Sequence, residues 1–390
     1  MFILSNKGNP QLHSTTTPKA ERFGGLFSHP IRFLRWTGLI NYRPISFSAF
    51  KPVAYADQAV FTAPKPHCTI TSASWTASKP IDTVMSHMLV LEDGLATCYG
   101  YIFDKRGMLI DGATHKHREG RKYPKWITRG NLIRPHPLFP TINCFQENVA
   151  VLTASTQNLY FHWIFDVLPR IGMLSNFNER PNFIFVQNKY RFQKETLQLL
   201  GFNRNRIINT EDVAVLSAKK LLVPCHQIMK GREYPSWAIE YLRNRFLSAS
   251  VRTSSLNRRV YVARGSTPTR RLINEPEIVD KIKNYGFFSV ELERLSIREQ
   301  IQLFRDAQVV VAPHGSGLAN LVFCSAGTTV IELFPAANVD LYYRLSTALK
   351  LRYYYVKGRT GSDTQLTSED YAVDWADLKT TLDAGGILPL

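Results

Sequence analysis

The sequence predicts an α/β fold built on parallel sheets that helices cover on both faces. From Asn148 onward, near-continuous apolar runs alternate with amphipathic stretches of helical period, the pattern of strands buried on both faces. At 390 residues the chain exceeds the size at which one core stops growing, so two domains are expected. With 44% hydrophobic, 12% aromatic and 20% charged residues, it can bury a large core and does not have a disordered composition.

Residues 1–60 are rich in Pro, Ser, Thr and Gly and read as a poorly ordered basic tail. Within it, Arg22, Arg32 and Arg35 interleave with Phe23, Phe27, Phe33 and Trp36. Such a stretch suits peripheral contact with a membrane surface, although Gly24, Gly25 and Pro30 interrupt any helix. Residues 86–112 read as strands joined by turns at Asp93-Gly94 and Asp104–Gly107, a hairpin-containing extension. His115 and His117 alternate as strand-borne metal ligands would, but no third ligand lies nearby, so a solvated loop fits better.

A first domain over 61–250 follows. "NVAVLTAS" reads as a strand, "QNLYFHWIFDVLPRIGML" as a long apolar helix kinked near Pro169, "NFIFV" as a strand, "RFQKETLQLL" as a helix ended by Gly201, "KKLLVPC" as a strand and "YPSWAIEYLRNRF" as a helix. The linker "SASVRTSSLNRR" separates it from a second domain over 251–390. There "RRVYVA", "FFSVEL", "QVVVAP", "TTVIELF" and "RYYYV" read as strands with helices between them. Asn274 is placed to cap one helix, with Pro276 near its start and Gly286 closing it. Ser296 and Glu299 form a capping box on the next. The last helix is expected either to complete this domain or to pack back on the first.

The chemistry concentrates in "VVVAPHGSGLANLVFCSAGTTVIELFP". In an open parallel sheet, ligands bind beyond the carboxyl ends of the strands. His314, Gly315, Ser316 and Gly317 occupy that end of one strand, where backbone amides at a helix start attract phosphate. Glu332, near the end of the next strand, is placed to accept hydrogen bonds from a ribose diol. The same residues also fit a tight strand-to-helix turn around a buried histidine, and G-x-G-x-x-N lacks the third glycine of a dinucleotide fingerprint. Arg264, Arg270 and Arg271 follow another strand of the sheet, so they share an edge with His314, and arginine's planar fork suits pyrophosphate.

In the first domain, His162, Asp166 and Arg170 recur every four residues and form a polar stripe on an apolar helix. Burying such groups needs partners or a purpose. Two readings stand: a stitched His–Asp–Arg chain, or a general base facing a cleft.

The net charge of +17 and pI of about 9.7 favour polyanionic or nucleotide partners. Five scattered cysteines without a CxxC pair read as reduced thiols, which suits a cytoplasmic protein. No apolar run is long enough to span a bilayer, and the first residues hold too short a run for a signal peptide.

"FHWIFDVLPR", "YVARGSTPTRRLINE", "LSIREQIQLFRDAQVVVAPHGSGLANLVFC" and "GTTVIELFP" together resemble the family 61 glycosyltransferases, bacterial capsule-type enzymes among them. The resemblance implies a GT-B arrangement, two Rossmann-like domains facing across a cleft. It implies an inverting, metal-independent transfer from a nucleotide sugar, most simply a UDP-sugar, to a glycan or lipid-linked glycan. No cofactor, metal ligand or nucleic-acid partner is implied, and no D-x-D motif occurs. Asp166 is the favoured base with His162 orienting it, or the roles are exchanged. Arg264, Arg270, Arg271, Asn274, His314, Gly315, Ser316, Gly317 and Glu332 would hold the donor. The alternatives weighed are an NAD-type oxidoreductase and a non-catalytic polyanion-binding protein.

Overall fold

A computed structural model of the chain describes residues 21–22, 50–52, 87–105, 107, 109–110, 113, 141–175, 177–225, 234–248, 258–265, 267, 269–335, 340–360 and 369–390. Most of the tail 1–60, Cys68, His115 and His117 lie outside the described residues.

The first sheet contains β1 (Glu21–Arg22), β2 (Phe50–Pro52), β3 (His87–Glu92), β4 (Leu95–Thr97), β5 (Ile102–Phe103), β6 (Ile142–Val151), β7 (Phe183–Val186), β8 (Ile207–Asn209) and β9 (Val215–Cys225). Its parallel centre runs β8-β7-β6-β9. In chain order that is 3-2-1-4, the arrangement around one switch point of a Rossmann sheet. The expected extension is present: β3 and β4 both lie antiparallel along β9, and β4 pairs with β5. Asp93 adopts a φ of 54° at the turn between β3 and β4.

The second sheet contains β10 (Arg258–Val262), β11 (Phe287–Val290), β12 (Ala307–Pro313), β13 (Thr329–Phe334) and β14 (Arg352–Lys357). All its pairings are parallel, in the order β11-β10-β12-β13-β14. This is the doubly wound order 2-1-3-4-5, with its switch point between β10 and β12. The loops carrying Arg264 and His314 leave those two strands, so topology alone brings them together. β15 (Arg359–Thr360) and β16 (Tyr371–Ala372) form a small separate ladder.

The long helix of the first half is α1 (Tyr160–His162), a π turn (Trp163–Val167) and α2 (Leu168–Ser175) in one continuous run. In the π turn the Leu168 amide donates to the Trp163 carbonyl, five residues back. A proline ring clashes with the carbonyl four residues before it, and widening the turn ahead of Pro169 relieves that clash. The remaining helices are α3 (Arg191–Leu199), α4 (Ser236–Leu247), α5 (Glu275–Lys283), α6 (Ile297–Asp306), α7 (Leu341–Ala348) and α8 (Trp375–Ala384). Gly172 on α2 lies where a Cβ would stand 2.7 Å from the Tyr241 ring, so α2 and α4 pack at backbone distance.

The capping box on α6 is present: Ser296 Oγ accepts from the Glu299 amide at 3.3 Å and Glu299 Oε2 accepts from the Ser296 amide at 2.6 Å. Gly286 ends α5 at φ 74°. Asn274 stands before α5 but does not cap it with its side chain. The segment after the glycine loop winds as a 3-10 helix (Ser316–Phe323), starting with the Leu318 amide bonded to the Gly315 carbonyl.

One hydrophobic cluster runs through both halves. It joins Trp163, Ile164 and Leu168 with Leu242 and Phe246 of α4, Phe304 of α6, and Leu318, Leu321 and Phe323 of the 3-10 helix. A second cluster on the outer face of the second sheet includes Leu378 and Leu382, so α8 packs on its own half and not back on the first. No helix among the described residues is long and apolar enough to cross a membrane.

Candidate active site

The His314 amide donates to the Leu333 carbonyl at 2.8 Å, which carries the β12–β13 pairing one residue into the glycine loop. Its imidazole Nδ1 lies 2.5 Å from Glu332 Oε1, and the ring stacks on Phe334 with centroids 5.2 Å apart. Glu332 faces the same side as His314 because Ala312, two residues earlier, is its register partner. The Tyr353 hydroxyl donates to Glu332 Oε2 at 2.6 Å. Burial, reinforced by Glu332, pushes the Tyr353 hydroxyl well up, so it stays protonated and remains a donor.

This placement differs from the ribose contact expected of Glu332. The side chain is 0% exposed and both carboxylate oxygens are occupied. A carboxylate at Nδ1 fixes the tautomer, leaving Nε2 as the ring atom for a ligand. Glu332 thus orients His314. Replacing it by glutamine should leave the fold intact and weaken diphosphate binding about tenfold, because the ring loses its anionic partner. Isothermal calorimetry checks this: affinity equal to wild type would remove Glu332 from the site.

Beyond β10, the Arg264 amide is held by Glu275 Oε1 at 2.9 Å, and Tyr261 donates to the same oxygen at 3.0 Å. The Arg264 guanidinium crosses the switch point. Nη1 donates to the His314 carbonyl at 2.8 Å and Nη2 to the Thr269 carbonyl at 3.1 Å. Nε is buried without a partner. Burial, then the neighbouring Arg270 charge, lowers the Arg264 pKa. Arg270 itself holds the left-handed region at φ 57°, a conformation that costs on the order of 1 kcal/mol for a side chain of its type. Neither arginine forms an ion pair among the described residues, although the charges of Glu275 and Asp370 reach Arg264. Gly315 lies so close to Arg264 that a Cβ there would run into Nη1. Its carbonyl accepts from the Tyr342 hydroxyl at 2.7 Å. Ser316 and Gly317 open the 3-10 helix beside them.

Two expected donor residues are engaged elsewhere. Arg271 makes a bidentate pair with Asp370, Nε to Oδ2 at 2.8 Å and Nη2 to Oδ2 at 2.6 Å, while its amide donates to Oδ1 at 2.7 Å. Asn274 donates to the Val373 carbonyl at 2.8 Å and accepts from the Val373 amide at 3.1 Å. Both fasten the segment around Tyr371 to the β10 loop.

In the first half, His162 Nδ1 lies 2.6 Å from Asp166 Oδ2. The histidine side chain is 16% exposed and the aspartate 0%. Of the pair, only His162 reaches solvent. Arg170 is buried and donates to the Thr153 carbonyl at 3.2 Å. Burial lowers its pKa, and the Asp166 charge opposes that. The stripe is therefore stitched at least in part: Asp166 is held within the helix and His162 is partly exposed on it.

Aromatic residues join the two sets. Phe161 stands edge-on to Tyr342, 5.9 Å away, and Tyr342 lies 5.5 Å from His314. The Tyr234 ring packs on Phe165 at 4.8 Å, and its buried hydroxyl feels the charges of both Asp166 and Glu332. Tyr342, Tyr353 and Tyr234 were not among the sequence-derived site residues. Their signal was slight, since tyrosines in apolar strands and helices usually serve as core.

Residues 160–331 match the family model described as Glycosyltransferase 61. The bovine (Bos taurus) EGF domain-specific O-linked N-acetylglucosamine transferase is 25% identical over 100 residues, 24% of this chain and 19% of its own. Beta-1,2-xylosyltransferase of Arabidopsis thaliana is 28% identical over 144 residues, 31% of this chain and 27% of its own. A rice (Oryza sativa subsp. japonica) beta-1,2-xylosyltransferase, XAX1, is 30% identical over 113 residues, 27% and 20% of the two chains. The matched part thus spans about a fifth to a quarter of these relatives' length. They are animal and plant proteins, not the bacterial capsule type that the resemblance included. Residues 160–331 are thus similar to the family 61 glycosyltransferases, and nothing in these matches favours an oxidoreductase.

Proposed function

We propose that this chain transfers a sugar from a nucleotide-sugar donor, a UDP-sugar in the simplest case, to a hydroxyl of a glycan acceptor in one inverting displacement. His162 is the base. Asp166 holds Nδ1, so Nε2 is free to take the acceptor proton. The acceptor oxygen attacks the anomeric carbon as the bond from that carbon to the diphosphate oxygen breaks, its electron pair leaving with the diphosphate. Arg264, Arg270, His314 and the amides at Gly315–Gly317 receive that charge. In this reading cationic side chains do what a divalent ion does elsewhere, so transfer proceeds in EDTA.

The observation that carries the reading is the pair of arginines at the switch point, neither in an ion pair among the described residues, with Arg264 joined through the His314 carbonyl to a glycine loop. A thermal-shift screen of uridine and guanosine diphosphates and their sugars tests it, since a ligand bound only by the folded state raises the melting temperature. A stabilising sugar nucleotide, and sugar transfer in EDTA, are expected. No shift with any of them, or transfer that EDTA abolishes and manganese restores, would refute the proposal.

A further inference from the structure

We propose that Tyr160 and Asn320 form a strut that fixes the distance between His162 and the diphosphate loop, and so govern turnover without binding the nucleotide. This rests on the glycosyltransferase reading above.

Tyr160 belongs to the first half, two residues before His162 on the same helix. Asn320 belongs to the second, three residues beyond Gly317 on the helix that the loop opens. The Tyr160 hydroxyl donates to Asn320 Oδ1 at 2.7 Å. Asn320 is wholly buried, and its amide nitrogen donates to Gln300 Oε1 at 3.0 Å and to the Gly317 carbonyl at 3.1 Å. Gln300 is anchored in turn, donating to the Leu292 carbonyl at 2.9 Å. With the nitrogen committed to two acceptors, Asn320 can turn only its oxygen to Tyr160, so the network sets the amide's orientation. Burial raises the Tyr160 hydroxyl above its ordinary pKa, so it remains a donor. The ring is braced edge-on against Phe192, 5.4 Å away.

The far end of the same 3-10 helix is fastened from the first half as well. Arg243 on α4 donates from Nη1 to the Val322 and Cys324 carbonyls, each at 2.7 Å. A short helix gripped at two points cannot slide along its neighbour. Asn320 is thus a polar residue in an apolar helix with a geometric task. A base must lie about 3 Å from the proton it removes, and a misplacement of about 1 Å costs on the order of 100-fold in rate.

Two variants test the strut. Tyr160→Phe removes one oxygen. Turnover is expected to fall about tenfold to 100-fold, with affinity for the stabilising nucleoside diphosphate within about threefold of wild type. Amide exchange should rise together in 160–167 and in 316–323. Leu382→Ala, at a buried position on the outer face of the second sheet and outside the strut, should lower the melting temperature while turnover per folded molecule stays near wild type. The strut is overturned if Tyr160→Phe turns over like wild type, or if turnover in both variants follows melting temperature. If the wild type transfers no sugar but Tyr160→Phe still loosens both helices, the glycosyltransferase reading fails while the coupling stands; unchanged exchange would refute the coupling itself.

Discussion

Replacing His162 by alanine should lower turnover about 10²- to 10⁴-fold and leave nucleoside diphosphate binding within about twofold. The large effect follows from the absence of a substitute. Asp166 lies 2.6 Å away but is wholly buried under the helix, so it cannot meet an acceptor hydroxyl. The small effect on binding follows from topology. His162 follows β6 of the first sheet, whereas the diphosphate groups follow β10 and β12 of the second. Asp166→Asn provides the contrast, because the imidazole stays in place without an anion to hold its tautomer, and a smaller loss is expected. Steady-state kinetics beside calorimetry decides the matter. Turnover like wild type in His162→Ala would mean that another group takes the proton.

Arg264→Met should weaken nucleoside diphosphate binding about tenfold to 100-fold, equivalent to about 1.4–2.7 kcal/mol, with melting temperature nearly unchanged. Methionine retains most of the apolar stem and removes only the fork. The fork has two tasks in the structure: it ties the His314 carbonyl to the Thr269 carbonyl across the switch point, and it places a cation against the glycine loop. Its pKa is lowered by burial and by Arg270, which the Glu275 charge opposes only in part. A bound diphosphate would remove that penalty. Calorimetric titration checks the expectation, and unchanged affinity would mean that the leaving group lies elsewhere.

The second half was the more legible in sequence. Five apolar runs alternating with helices leave few alternatives to a parallel sheet, and the Gly286 end of α5 and the Ser296 capping box agree with their sequence signals because they are local chemistry. His314, Gly315 and Arg264 were legible for the same reason: each follows directly from the end of a strand. The depth of Glu332 is not legible, because sequence places a residue on a strand without giving its burial. Its burial depends on Tyr353, on a strand that closes the site 21 residues later. The contacts of Asn274 and Arg271 are not legible, because their partners, Val373 and Asp370, lie 99 residues on, beyond any local pattern. The His162–Asp166 pairing was visible as a spacing of four, but not which member faces outward. A π turn spans those residues, and the ideal helical wheel no longer predicts direction there.

The apolar layer shared by α4, the π turn and the 3-10 helix bears on how such an enzyme could be re-engineered. Under the proposed function, exchanging the second half with that of a known transferase is a route to a new sugar preference. Here a cut between Leu247 and Arg258 would strip both fragments of a common interior and leave each with an oily face turned to water. A viable chimera would have to carry the matching face of its partner with it.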